Sequence, residues 1–152
     1  MTDNARILIV DDDPLSLVAF GSMIEKHFTV DTANDPAQAL ERLESNPPYA
    51  VIISDMYMPG MDGIDFLAQA GRLSPSTVKI MLTGHADLET AMAAVNKGHV
   101  FGFFSKACQP QALVAAVRKA VDEHRRHRRR IERPFSKKDL LTREEFDFLT
   151  NQ

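Results

Sequence analysis

Arg6-Ile7-Leu8-Ile9-Val10 runs directly into Asp11-Asp12-Asp13-Pro14, and Ala50-Val51-Ile52-Ile53-Ser54 runs directly into Asp55. Each is a short apolar run ended by acid. Neither alternates between apolar and polar residues, as expected of central strands covered on both faces. Two later runs follow the same grammar: Lys79-Ile80-Met81-Leu82 ends in Thr83, and Phe101-Gly102-Phe103-Phe104-Ser105 ends in Lys106. In an open parallel sheet the C-terminal ends of the strands line the crevice where ligands bind. Three carboxylates, a hydroxyl and an ammonium gathered there would suit a hard cation and a phosphoryl group.

Between the apolar runs the chain reads as helix. Asp13-Pro14 and Asp35-Pro36 each supply an N-cap followed by a proline suited to the first helical position. Leu17, Phe20, Gly21 and Ile24 mark one face of the first helix, and Ala37, Leu40 and Leu43 mark that of the second. A short strand, Phe28 to Thr32, lies between them. Pro59-Gly60-Met61-Asp62-Gly63 is a turn before a third helix through Ile64, Leu67 and Ala70. A fourth helix carries Leu88, Ala91, Met92 and Val95. Pro110 opens a long fifth helix whose Leu113, Val114, Val117, Ala120, Val121 and His124 share a face and which can continue to Pro134. Thr142 and Glu145 fit a capping box near the end. Strand and helix in alternation predict an α/β fold, a flavodoxin-like doubly wound five-stranded parallel sheet of order 2-1-3-4-5 with helices on both faces.

The 152 residues suit one domain. No apolar run approaches the roughly 20 residues of a membrane span, and Met1-Thr2-Asp3-Asn4 lacks the pattern of a signal peptide. A cytoplasmic location is the expectation. The single Cys108 excludes an internal disulfide framework. The net charge of -3 hides a division: residues 1–117 hold 7 Lys+Arg against 14 Asp+Glu, and residues 118–152 hold 11 against 7. Much of the basic excess is the run Arg125-Arg126-His127-Arg128-Arg129-Arg130. It reads first as a solvated helix end entering a linker, and second as a contact for nucleic acid or an acidic partner. Residues 1–124 are thus expected to form the main domain, with 125–152 a basic helical extension or linker of the kind that leads to an output domain.

Taken together, Ile7 to Pro14, Ile53-Ser54-Asp55-Met56-Tyr57-Met58-Pro59-Gly60-Met61-Asp62-Gly63, Met81-Leu82-Thr83-Gly84-His85 and Phe103-Phe104-Ser105-Lys106 strongly resemble the receiver domain of two-component response regulators. The resemblance implies Asp55 as phosphoacceptor and Mg²⁺ as cofactor. Asp12 would ligate the ion directly, Asp11 through water, and Asp55 and the backbone carbonyl of Tyr57 would complete the protein ligands. Thr83 and Lys106 match the switch hydroxyl and the phosphate-contacting lysine, and Phe103 the switch aromatic. Tyr57 and His85 stand where they would tune phosphoryl lifetime. The implied donor is a sensor histidine kinase or phosphotransfer protein. The implied output surface is the face of fourth helix, fifth strand and fifth helix, which can also serve a homodimer. Such a domain is a signalling phosphoacceptor rather than an enzyme in its own right. The family usually has proline after the lysine, often cis, where this chain has Ala107. Because a cis bond before a non-proline residue costs about 2.5–4 kcal/mol, that loop is expected to be either trans and displaced or strained.

Two other functions compete. Asp11-Asp12-Asp13 satisfies the Asp-x-Asp opening of haloacid-dehalogenase-like phosphatases, with Asp11 as nucleophile, but Leu15 stands where that family has Thr or Val. A phosphorylation-independent scaffold with a nucleic-acid-binding tail would leave the acidic constellation without a purpose.

Overall fold

Ile7, Leu8, Ile9 and Val10 are each at most 3% exposed, and Val51, Ile52 and Ile53 at most 1%, so both runs are covered on both faces. A computed structural model describes residues 4–44, 48–84 and 100–132. Within them β1 (Arg6–Val10), β2 (Thr29–Ala33), β3 (Val51–Ser54), β4 (Val78–Thr83) and β5 (Gly102–Ser105) form one all-parallel sheet in the order β2-β1-β3-β4-β5. The expected fold class is the one observed.

Successive residues of a strand point to opposite faces, and this alternation divides the core in two. Leu8, Val10, Ile52 and Met81 pack with Ala39 and Leu43 of α2 (Pro36–Leu43) and with Phe66, Leu67 and Ala70 of α3 (Gly63–Leu73). Ile7, Ile9, Val51, Ile53, Ile80 and Leu82 pack with Ile24 of α1 (Pro14–Glu25) and with Leu113, Val117, Ala120 and Val121 of the C-terminal helix, Pro110–Glu132. Phe103 joins the first cluster and Phe104 the second.

The two caps expected from the sequence, Asp13 and Asp35, are observed, and Asp62, read only as part of a turn, is a third. Asp13 Oδ1 accepts from the Leu15 amide at 3.0 Å, Asp35 Oδ1 from Gln38 at 2.7 Å, and Asp62 Oδ1 from Asp65 at 2.8 Å. Each satisfies an amide that the first helical turn leaves without an internal partner. One stripe needs correction. In α2 the inward face is Pro36, Ala39 and Leu43, with Leu40 partly buried, while Ala37 is exposed. The second strand begins at Thr29, with Phe28 buried just before it.

The C-terminal helix returns antiparallel to the strands. His124 anchors it to the far end of the sheet, its Nδ1 lying 2.7 Å from the Ser76 carbonyl oxygen ahead of β4. The helix runs unbroken across residue 124 to Glu132. The expected fourth helix, His85 and His99, and the segment from residue 133 with Thr142 and Glu145 lie outside the described residues.

Candidate functional site

Sheet register brings the acidic residues together. Val10 of β1 is the partner of Ser54 in β3, so Asp11 and Asp55, each the next residue, leave adjacent strand ends side by side. The Asp55 amide donates to the Val10 carbonyl at 3.0 Å, which extends the ladder to that point. Asp11, Asp12 and Asp55 can each offer an oxygen such that all three lie within 4.8 Å of one another. Asp11 is 4% exposed and Asp55 9%, whereas Asp12 faces solvent.

The fourth member arrives from β5. Thr83 pairs with Ser105, and the Lys106 amide donates to the Thr83 carbonyl at 2.9 Å. The Lys106 side chain then crosses the crevice. Its Nζ is 2.6 Å from Asp11 Oδ2 and 3.6 Å from Asp55 Oδ2. Burial works to lower the pKa of this ammonium. The hydrogen bond that Lys106 donates to Asp11 and the charges of Asp55, Asp11 and Asp13 together outweigh burial and leave the pKa raised, so Lys106 is held as a cation.

The carboxylate oxygens have distinct environments. Asp11 Oδ1 accepts from the Asp13 amide at 2.9 Å while Oδ2 takes Lys106. Asp55 Oδ1 accepts from the Met56 amide at 2.8 Å, which leaves Oδ2 turned towards the lysine. Both Asp11 oxygens are thus held by the protein itself, an arrangement that does not favour the phosphatase reading with Asp11 as nucleophile.

Thr83 is fully buried at the end of β4, and Phe103, opposite Met81 in the register, is partly buried against the α2 and α3 side of the core. Tyr57, two residues beyond Asp55, is 47% exposed. The turn that follows depends on two glycines. Gly60 has φ +86°, in the left-handed region that side chains disfavour. Gly63 is needed for space: a Cβ there would collide with the Asp55 carbonyl oxygen and stand 2.8 Å from Met56 Cα. The Gly63 amide donates to the Met56 carbonyl at 2.7 Å, closing the loop that carries the aspartate.

Two contacts were not foreseen. Lys106 Nζ also donates to Ser16 Oγ at 3.1 Å, and that hydroxyl donates to Asp13 Oδ2 at 3.1 Å. Ser16 thus ties the lysine to the first turn of α1. Beyond the lysine, the Ala107 amide donates to Ser105 Oγ at 3.1 Å. Proline has no such hydrogen to give, so alanine here secures the loop by a bond that the usual residue cannot make.

The response regulator receiver domain profile matches residues 7–118. The hydrogenase transcriptional regulatory protein HoxA of Cupriavidus necator is 32% identical over 118 residues, covering 78% of this chain and 24% of that protein, so the chain spans about a quarter of the length of this curated relative. A structure described as an adenylate cyclase from Rhodopirellula baltica superposes with a TM-score of 0.79 at 38% identity, over 86% of this chain and 96% of the other. The beryllofluoride-activated NtrC4 receiver domain dimer gives 0.72 at 28% identity, over 78% and 98%. Register, lysine reach and family match agree: this chain belongs to the response regulator receiver domain family, the phosphoacceptors of two-component signalling.

Proposed function

We propose that Asp55 is the phosphoacceptor, taking a phosphoryl group from the phosphohistidine of a sensor kinase or phosphotransfer protein. One observation carries the assignment: of the three clustered carboxylates, Asp55 alone is both buried and left with an oxygen, Oδ2, that accepts no hydrogen bond among the described residues while facing an ammonium. In the transfer a P–O bond forms at Asp55, the P–N bond breaks, and its electron pair returns to the donor imidazole. Lys106 is placed to neutralise charge on the incoming phosphoryl oxygens, and positioning of this kind is most of what phosphoryl transfer asks of a protein.

Three carboxylate oxygens within 4.8 Å suit a small hard cation with oxygen ligands. Asp11, Asp12, Asp55 and the Tyr57 backbone carbonyl would hold Mg²⁺, which when bound would offset the charge of the carboxylates and the phosphoryl group. Thr83, at the end of β4, and Phe103, within the neighbouring β5 that leads into Lys106, are the proposed switch pair, with Tyr57 and His85 tuning access of water to the acyl phosphate. The proposed readout is association through the face that includes β5 and the C-terminal helix, in keeping with the dimeric state of the activated NtrC4 receiver domain. We assign residues 1–124 to the receiver proper and 125–152 to a basic extension towards an output module, in a cytoplasmic protein that signals rather than turns over substrate.

Mass spectrometry after incubation with acetyl phosphate and Mg²⁺ tests the central assignment. The wild-type chain should gain one phosphoryl group and Asp55→Asn none; label retained in the variant would refute it.

A further inference from the structure

Both α1 and the C-terminal helix cover the Ile7, Ile9 and Ile53 face of the sheet, and a cleft of about 410 Å³ remains open between the end of α1 and the first turns of the C-terminal helix. Its floor is apolar. Met23 and Val114 pack against the core yet are only half-buried, and Ala115 beside them is exposed. Its rim is basic, with Lys26 and Arg118 exposed and His27 half-buried. No carboxylate lines it among the described residues. The Arg118 guanidinium lies 5.8 Å from the centre of the Phe28 ring, and the His27 ring lies 6.4 Å from the same ring. Among the described residues none of these three basic side chains forms an ion pair. An apolar floor inside a cationic rim complements an amphipathic, acidic segment.

The chain carries a segment of that description. Thr142 and Glu145 fit a capping box, and Leu141 and Phe146 stand at the two positions of a hydrophobic staple. In a helix started there, Phe146 and Leu149 are three apart and share one face, the anchor spacing of a helix laid in a groove. Glu144, Glu145 and Asp147 outweigh the single Arg143. Residues 133–152 lie outside the described residues, and chain length sets what they can reach. From Glu132 back to Ala115 along the C-terminal helix is about 25 Å. Residues 133–145, extended, span up to about 43 Å, so the segment reaches the cleft of its own chain. So short a tether holds the segment near the cleft at a millimolar effective concentration, which favours its own cleft over that of a second copy.

We propose that the cleft between α1 and the C-terminal helix is the docking site of residues 142–149 of the same chain. Phe146 and Leu149 rest on Met23, Val114 and Ala115, and the acidic side chains turn towards Lys26 and Arg118. Burial of the two apolar side chains supplies the affinity, and the charges set the orientation. An isolated helix of this length is marginal in water, so docking and helix formation occur together. The extension is thereby folded back along the receiver, and anything joined to it leaves from the α1 side rather than from the tip of the long helix. Asp55 and its crevice take no part, so the docking stands independently of the phosphoacceptor assignment.

The test uses the full chain, with the Met23 methyl signal followed by NMR and assigned by its loss in Met23→Leu. The docked Phe146 ring shifts this signal, so Phe146→Ala with Leu149→Ala should move it, while Phe135→Ala, outside the segment, should leave it in place. A synthetic peptide of residues 139–152, added to the double variant, should restore the wild-type position; the same peptide with both alanines should not. Reversing the rim with Lys26→Glu and Arg118→Glu should weaken the peptide by about fivefold or more, the scale of an exposed ion pair at its strongest. A Met23 signal unmoved by the double alanine variant, or moved equally by Phe135→Ala, would overturn the proposal, as would a peptide affinity indifferent to the rim. So would a wild-type signal position that appears only as protein concentration rises and the sedimenting mass doubles, which would place the segment in the cleft of a second copy.

Discussion

Asp11 and Asp12 are adjacent yet differently employed. Asp11 is buried and committed to the Asp13 amide and to Lys106, while Asp12 is exposed and close enough to share an ion with both neighbours. Asp12→Ala should therefore weaken Mg²⁺ binding by more than the roughly tenfold typical of outer supporting groups, with little effect on folding. Asp11→Ala should instead cost about 3 kcal/mol of stability, because it strands a largely buried ammonium. Metal titration by NMR and urea unfolding separate the two, and a larger metal-affinity loss in Asp11→Ala would reverse the assignment. The positions of Asp11, Asp55, Thr83 and Lys106 were legible because a parallel sheet converts the end of each apolar run into a shared edge. Ser16 was not: a serine in a first helical turn is commonplace, and only the path of the Lys106 side chain shows what it holds.

Among the elements, the strands were the plainest to read, since residues covered on both faces must be apolar throughout. Helix stripes were less so. In α2, Ala37 and Ala39 are identical side chains two residues apart, and only packing of α2 against β1 and α3 decides that Ala39 is buried. Loops are set by contact rather than propensity. Gly63 begins α3 under the carbonyl of Asp55, so Gly63→Ala should displace the loop that bears Asp55, the proposed phosphoacceptor. The expected cost is about 1–3 kcal/mol, the usual penalty of overpacking, together with slower phosphorylation by acetyl phosphate. Urea unfolding and the phosphorylation time course check both parts; a variant unchanged in each would show that the loop can give way.

At the scale of the molecule, two groups far from the crevice link folding to acidity. His124 has its pKa lowered, chiefly by burial, so the folded state resists its protonation. Its contribution is intact above the ordinary histidine value of about 6.5 and declines as pH falls below it. Asp31 has its pKa lowered first by the Tyr49 hydroxyl, 2.6 Å away, and then by Arg6, against burial. Its contribution persists above about 3.9 and is lost as pH falls further. Urea midpoints should thus fall in two stages, and His124→Leu should flatten the first between pH 7 and 5; an unaltered slope in that variant would assign the loss to another group. The unbroken C-terminal helix has a mechanical consequence. Its 23 residues make a rod about 34 Å long that starts near Lys106 and ends beyond the opposite pole. Pivoted at its first turn, such a rod tilted by about 5° would swing its tip through about 3 Å, a whole hydrogen bond's length. A displacement too small to notice beside Asp55 would reach Glu132 as the making or breaking of a contact.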